Sequence, residues 1–303
     1  MTDNARGALF RPIVPHQHSR VTYAELFFDL VFVFAVTQIS HTLLAHFTPL
    51  GALQVTLLFL AVWWVWVYTS WITNWLNPEK TPVRLLLFAL TLGGLVLSTS
   101  IPAAFDGRGL WFAAAYAAMQ VGKTVFLWLS TLPSQSLARM NAIRITAWLS
   151  VSAIFWIAGG LAEGPSRLVL WAIALVIEYI SPAARFWIPR YGASAVADWV
   201  VEGGHMAERC AGFIIIALGE SIVVTGATFA ELTWTTENVL ATYRPSAVAS
   251  RCGGSTSTRA PKPAPSRSQE RASREGWRGS PIPICTCRSW PASSSRRWPM
   301  NSC

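Results

Sequence analysis

Seven largely apolar stretches divide the first 231 residues, each near the 20 or so residues a helix needs to cross a bilayer. They fall at 22–45, 51–76, 83–104, 110–131, 143–162, 166–188 and 206–231. Helix-interrupting residues stand between them: Asn77-Pro78, Pro102 with Asp106-Gly107, Pro133, Gly164-Pro165 and Pro189. Pro182 lies inside the sixth stretch and predicts a kink or a stop there. The pattern predicts an all-α, polytopic transmembrane helix bundle. Residues 1–20 form an N-terminal segment, 21–245 the membrane domain, and 246–303 a separate tail.

Composition agrees. Of 303 residues, 52% are hydrophobic and 13% charged, with 16 Trp and 15 Phe, which excludes an ordinary soluble domain. The net charge of +9 would imply a polyanionic partner if it were spread over the chain. It is not: the tail from Ser246 holds ten Lys/Arg against Glu270 and Glu275, so the body is nearly neutral and no nucleic-acid partner is expected. Basic residues in the short loops set the orientation. Arg6, Arg11, Arg20, Lys80, Arg84, Arg139, Arg144, Arg185 and Arg190 lie on one side, and Arg108 and Arg167 on the other. That bias predicts a cytoplasmic N-terminus. The first 20 residues are polar and the run after them is too long for a signal-peptide core, so no cleavable leader is expected.

Past Tyr243 the chain is dominated by Ser, Arg, Pro and Gly and reads as a disordered basic tail. A second reading is a frameshift near residues 240–247. Back-translated and read one base earlier, Ala247–Thr258 yields G-G-G-F-A-V-W-W-I-Y-F-D, which is membrane-like. The same shift over Pro281–Cys303 yields D-T-Y-M-H-L-P-I-V-A-G-I-I-V-A-A-V-A-D-E-L. Some of these letters are forced: Trp290 and Trp298, each followed by Pro, require Ala, and Met300 followed by Asn301 requires Glu. On this reading Cys252, Cys285, Cys287 and Cys303 are accidental, and Cys285-Thr286-Cys287, lacking a second pair, is not a zinc site.

The chemistry that draws attention is ionisable residues inside apolar spans, where they are expensive and usually functional. Glu25 and Asp29, at i and i+4, share one face of the first helix, and two carboxylates so placed suit proton transfer or cation coordination. The plainer alternative leaves Glu25 at the interface and only Asp29 buried. Gln38 and His41 lie on a different face. A second cluster starts at His205, with Glu208 at i+3 and Arg209 at i+4; Glu220, followed by Ser221, lies about 18 Å beyond Glu208 by helical rise. A His-x-x-Glu pair without a second copy does not make a metal site, so neither metal nor cofactor is expected. Lys123 and Glu178 are the other charges within spans, and each needs a partner: each other, Asp29 and Glu220 are the available ones, and a structural ion pair fixing helix register is the plain reading. With a gap allowed, residues 24–39 can also be laid over 207–222, matching Glu25 with Glu208 and Gln38 with Glu220, as in carriers built from parallel repeats. Trp63, Trp64, Trp66, Trp71 and Trp75 with Tyr68 run down the second helix and read as an interfacial belt plus helix packing, with a substrate-lining aromatic wall as the alternative. No phosphate loop, dinucleotide fingerprint or Ser/His/Asp arrangement appears, and no enzyme is expected.

ELFFDLVFVFAVTQISH, WWVWVYTSWITNWLNP and HMAERCAGFIIIALGESIV resemble segments of the bacterial low temperature requirement A family. The shifted-frame strings resemble its later segments. The resemblance covers about residues 18–245 and implies a multi-span protein of the bacterial inner membrane, of no established substrate. It places the family's acidic first helix on Glu25 and Asp29. Its H-x-x-E-R…G-E-S segment falls on His205, Glu208, Arg209, Gly219, Glu220 and Ser221. The expected function is a proton- or cation-coupled secondary transporter with Glu25, Asp29, His205, Glu208 and Glu220 as its relay, and with the bilayer and a small solute or ion as partners. The alternative is a non-transporting membrane sensor or stress-tolerance scaffold.

Overall fold

The computed structural model describes residues 9–11, 20–131, 136–195, 198 and 201–231. They form seven α-helices: α1 Tyr23–Ala45, α2 Pro49–Trp75, α3 Thr81–Ser100, α4 Gly109–Ser130, α5 Ser136–Leu161, α6 Pro165–Ala183 and α7 Gly203–Glu231. All seven are long and apolar enough to cross a membrane. The tail from 246, including the frameshift reading, lies outside the described residues.

The helix starts follow local chemistry. Thr22 caps α1 in a reciprocal capping box, its hydroxyl accepting from the Glu25 backbone while the Glu25 carboxylate accepts from the Thr22 backbone. Thr48 caps α2 ahead of Pro49. Gly164, at φ +59°, makes the turn into Pro165 and α6. Two bounds differ from the sequence pattern. α5 begins at Ser136, not 143, because its polar first turns are paired: Arg144 donates to the Asn141 side chain (2.6 Å) and to the Tyr191 carbonyl. α6 ends at Ala183, short of 188 and at the stop expected from Pro182, which supplies no N–H to carry the helix on.

α2 packs against the most helices, α1, α4, α6 and α7, while α1 packs against α3 and α7 as well, and α3 to α6 pack along the chain order. The aromatic residues of α2 show why. Trp64, Trp66 and Tyr68 are buried rather than belted at an interface, and Trp64 stacks on Tyr179 of α6 at 4.1 Å. Burial is inverted relative to a water-soluble protein. Glu25, Asp29, Lys123, Glu178, His205 and Arg209 face inward, while Leu92, Leu129, Ile154, Ile215 and Val223 are more than half exposed. Lipid accepts that outer surface, and the inner polar groups must then satisfy one another. Arg167 does so for two connections at once. Its guanidinium donates to the carbonyls of Ala104, Asp106, Gly159 and Ala162, tying the α3–α4 link to the α5–α6 link. Gly109 leaves room for it, since a Cβ there would lie 2.5 Å from Arg167 Cζ.

Candidate functional site

The charged groups gather at the end of the bundle where α1 and α7 begin and α2 ends. Glu25 and Asp29 share the inward face of α1, and the first turns of α7 bring His205 and Arg209 against them. All four side chains are fully buried.

Glu25 is the hub. Its Oε1 accepts from Arg11 Nη2 (3.3 Å) and His205 Nε2 (3.1 Å), with Arg209 Nη1 at 3.8 Å; its Oε2 accepts from the Thr22 backbone (2.9 Å) and hydroxyl (3.0 Å). Asp29 is gripped at one oxygen only, by Trp66 Nε1 (2.8 Å) and Arg209 Nη2; its Oδ2 has no partner among the described residues. Arg209 also donates to Thr73 Oγ1 at 2.8 Å and lies over the rings of Phe28 and Trp66, 5.9 and 5.8 Å from their centroids.

Asn74 orients His205. Asn74 Oδ1 accepts from the Glu202 backbone N–H (2.9 Å) and Nδ2 donates to the Glu202 carbonyl (3.1 Å), which sets the amide's orientation. The second Nδ2 hydrogen then faces His205 Nδ1 at 3.3 Å. Nδ1 faces a donor, and Nε2 at the other edge of the ring lies 3.1 Å from Glu25 Oε1 and 3.2 Å from Arg11 Nη2. Two guanidinium cations face two carboxylates across the network.

The sequence-predicted residues divide. Glu25, Asp29, His205 and Arg209 come together. Glu208 is exposed on α7 and Glu220 half-buried farther along it, each without a hydrogen bond or ion pair among the described residues. The environments of Glu25 and Glu208, matched by the internal repeat, are thus unlike. Ser221 bonds the Ala217 carbonyl, Gln38 is half-buried, and His41 is exposed. Lys123 and Glu178 do not pair with each other, nor with Asp29 or Glu220. Lys123 Nζ donates to the Val65 carbonyl and Thr69 Oγ1, both at 3.1 Å, and sits 5.7 Å from the Tyr68 ring centre. Glu178 lies in a cage of four neutral donors. Ser152 (2.6 Å) and Trp156 (3.0 Å) serve Oε1, while Tyr116 (2.6 Å) and Gln120 (3.1 Å) serve Oε2. Among the described residues no group of three or more His, Cys, Asp or Glu could hold a metal. Arg11, Thr22, Trp66, Thr73 and Asn74 were not visible as site residues in the sequence; Asn74, a polar residue ending an apolar helix, carried the best signal.

The model of the bacterial low temperature requirement A protein family matches residues 20–250. A protein of Rhizobium meliloti (strain 1021), described only as uncharacterized, is 47% identical over 208 residues, 69% of this chain and 51% of the relative. The chain thus spans about half the length of that relative. No solved structure matches. With seven apolar helices and a family match over most of its length, this multi-pass membrane protein belongs to the bacterial low temperature requirement A family.

Proposed function

We propose that this protein is a secondary transporter of the bacterial inner membrane coupled to protons or another cation, with the Arg11–Glu25–His205–Arg209–Asp29 network as its coupling site. One observation carries the reading. Two buried carboxylates and two guanidinium groups are matched one for one across four segments of chain, the N-terminal strap Leu9–Arg11, α1, α2 and α7. A matched buried network cannot take up a charge without cost, because the unpaired partner is left in low dielectric. Protonating Glu25 would leave Arg11, His205 and Arg209 converging on a neutral acid, and moving the strap or α7 outward relieves that strain. Coupling of charge uptake to segment movement is what alternating access requires. Arg11, at 11% exposed the least buried member, marks the route by which a proton or ion enters. The basic-loop bias supports a cytoplasmic N-terminus, so this mouth opens inward.

The test is proton flux into liposomes, read with an enclosed pH-sensitive dye. Asp29→Asn is expected to abolish pH-driven flux while the protein still inserts and purifies. Unchanged flux would refute the proposal. The competing reading, a non-transporting sensor or stress-tolerance scaffold, draws on the same charge balance: the network would fix α7 against α1, and the substitution would lower stability with no solute moving in either protein.

A further inference from the structure

Arg11 is held in the way a ligand is held. Leu9–Arg11 runs antiparallel beside the end of α2: Phe10 bridges to Leu76, Arg11 N donates to the Trp75 carbonyl (2.8 Å), and Asn77 N donates to the Leu9 carbonyl (2.8 Å). From this strap the side chain enters a cradle of acceptors. Nε donates to the carbonyls of Thr73 (2.9 Å) and Leu76 (3.2 Å), at the end of α2 where unpaired carbonyls and the helix dipole concentrate negative charge. Nη2 donates to both oxygens of Glu25, at 3.3 and 3.4 Å. The carbonyls serve one edge of a planar ion and the carboxylate another. Such spacing suits a rigid fork of N–H donors better than a point charge.

We propose that this cradle is a binding site for a free guanidinium-type cation, guanidinium itself or a mono-substituted guanidine, and that Arg11 occupies it as a tethered stand-in. Lifting the strap, whose Leu9 is buried against Ile72 and Leu76, vacates the cradle and opens the mouth in one movement. The inference deepens the transport reading and rests on it for the purpose of the ligand; the binding itself stands on the cradle alone.

The test is thermal unfolding of the full chain in detergent, without any gradient, with methylguanidinium as the probe because its N-methyl group reproduces the Arg11 Cδ–Nε end. Arg11→Ala is expected to unfold at lower temperature than the wild type. About 1–20 mM methylguanidinium should then raise its midpoint saturably by roughly 3–6 °C. The wild type, its cradle filled, should not respond. Methylammonium should recover less than about a third of the shift, for want of the fork. Arg11→Ala combined with Glu25→Gln should recover none. No rise in Arg11→Ala, an equal rise with methylammonium, or an equal rise in the double variant overturns the proposal. If Arg11→Ala is too unstable to isolate, solubilising it with methylguanidinium should increase the monodisperse yield several-fold, and an unchanged yield overturns the proposal equally. Because no flux is measured, a protein that binds without transporting retains this inference and loses only the transport reading.

Discussion

Replacing Arg209 by methionine tests the network at the cation that faces both carboxylates. Methionine preserves length and apolar volume but removes the donors to Asp29 and Thr73 and the positive charge 3.8 Å from Glu25. Glu25 loses little, keeping Arg11, His205 and Thr22. Asp29 keeps only the Trp66 N–H, so a fully buried carboxylate stands without a counter-charge. Leaving one partner of a buried pair costs about 3–5 kcal/mol. In a domain of about 150–250 residues each kcal/mol moves the unfolding midpoint by about 2–4 °C, so Arg209→Met should fall by on the order of 10 °C. Adding Asp29→Asn removes the orphaned charge while its carbonyl still accepts from Trp66. The double variant should therefore regain more than half of the loss, although it carries one more substitution. Tryptophan emission during heating in detergent reads the midpoint. A drop below about 2 °C for Arg209→Met, or a double variant no better than the single, would refute the account of Asp29 as a carboxylate held by Arg209.

The Glu178 cage gives a graded pair. Glu178→Leu strips the acceptor from four buried donors and should cost at least about 3 kcal/mol, whereas Glu178→Gln should be milder, because Gln120, whose Oε1 is unpartnered, can turn that oxygen toward the new amide. Equal midpoints for the two variants would contradict the cage. The frameshift reading is settled by sequencing genomic DNA across codons 236–260: a displaced frame that restores apolar spans is expected, and an uninterrupted frame in closely related strains, with the same tail, would sink it.

Much of the scaffold was legible because a span is a local property. Twenty apolar residues between turn signals need no knowledge of neighbours; the polar start of α5 was misjudged, while the stop expected at Pro182 ends α6. Half of the site was legible for the same reason, since Glu25 and Asp29 share a face by helical period alone. On α7 the period could not choose between Glu208 at i+3 and Arg209 at i+4 from His205. The choice was made by which stripe of α7 meets α1 and α2, a long-range fact. Arg11 carried only a topological meaning in the sequence, because nothing local says that residue 11 returns to the end of α2. Lys123 and Glu178 were expected to need opposite charges; instead carbonyls, hydroxyls and an indole satisfy them, and such neutral partners leave no charge pattern to read.

The ion pair between Asp29 and Arg209 spans 180 residues of chain, and this sets an order of events during synthesis. At about 5–20 residues per second, α1 waits roughly 10–40 s for the cation that neutralises its aspartate. Glu25 does not wait: Arg11 is already made when it emerges, and Thr22 caps it at once. Trp66 follows 37 residues after Asp29 and offers a donor but no charge. Through most of translation, then, the first helix carries one satisfied acid and one unsatisfied one, and it cannot settle fully into lipid until the seventh arrives. Closure of the charged site is thereby tied to α7, and a nascent chain that has not yet made α7 keeps an uncompensated acid on α1.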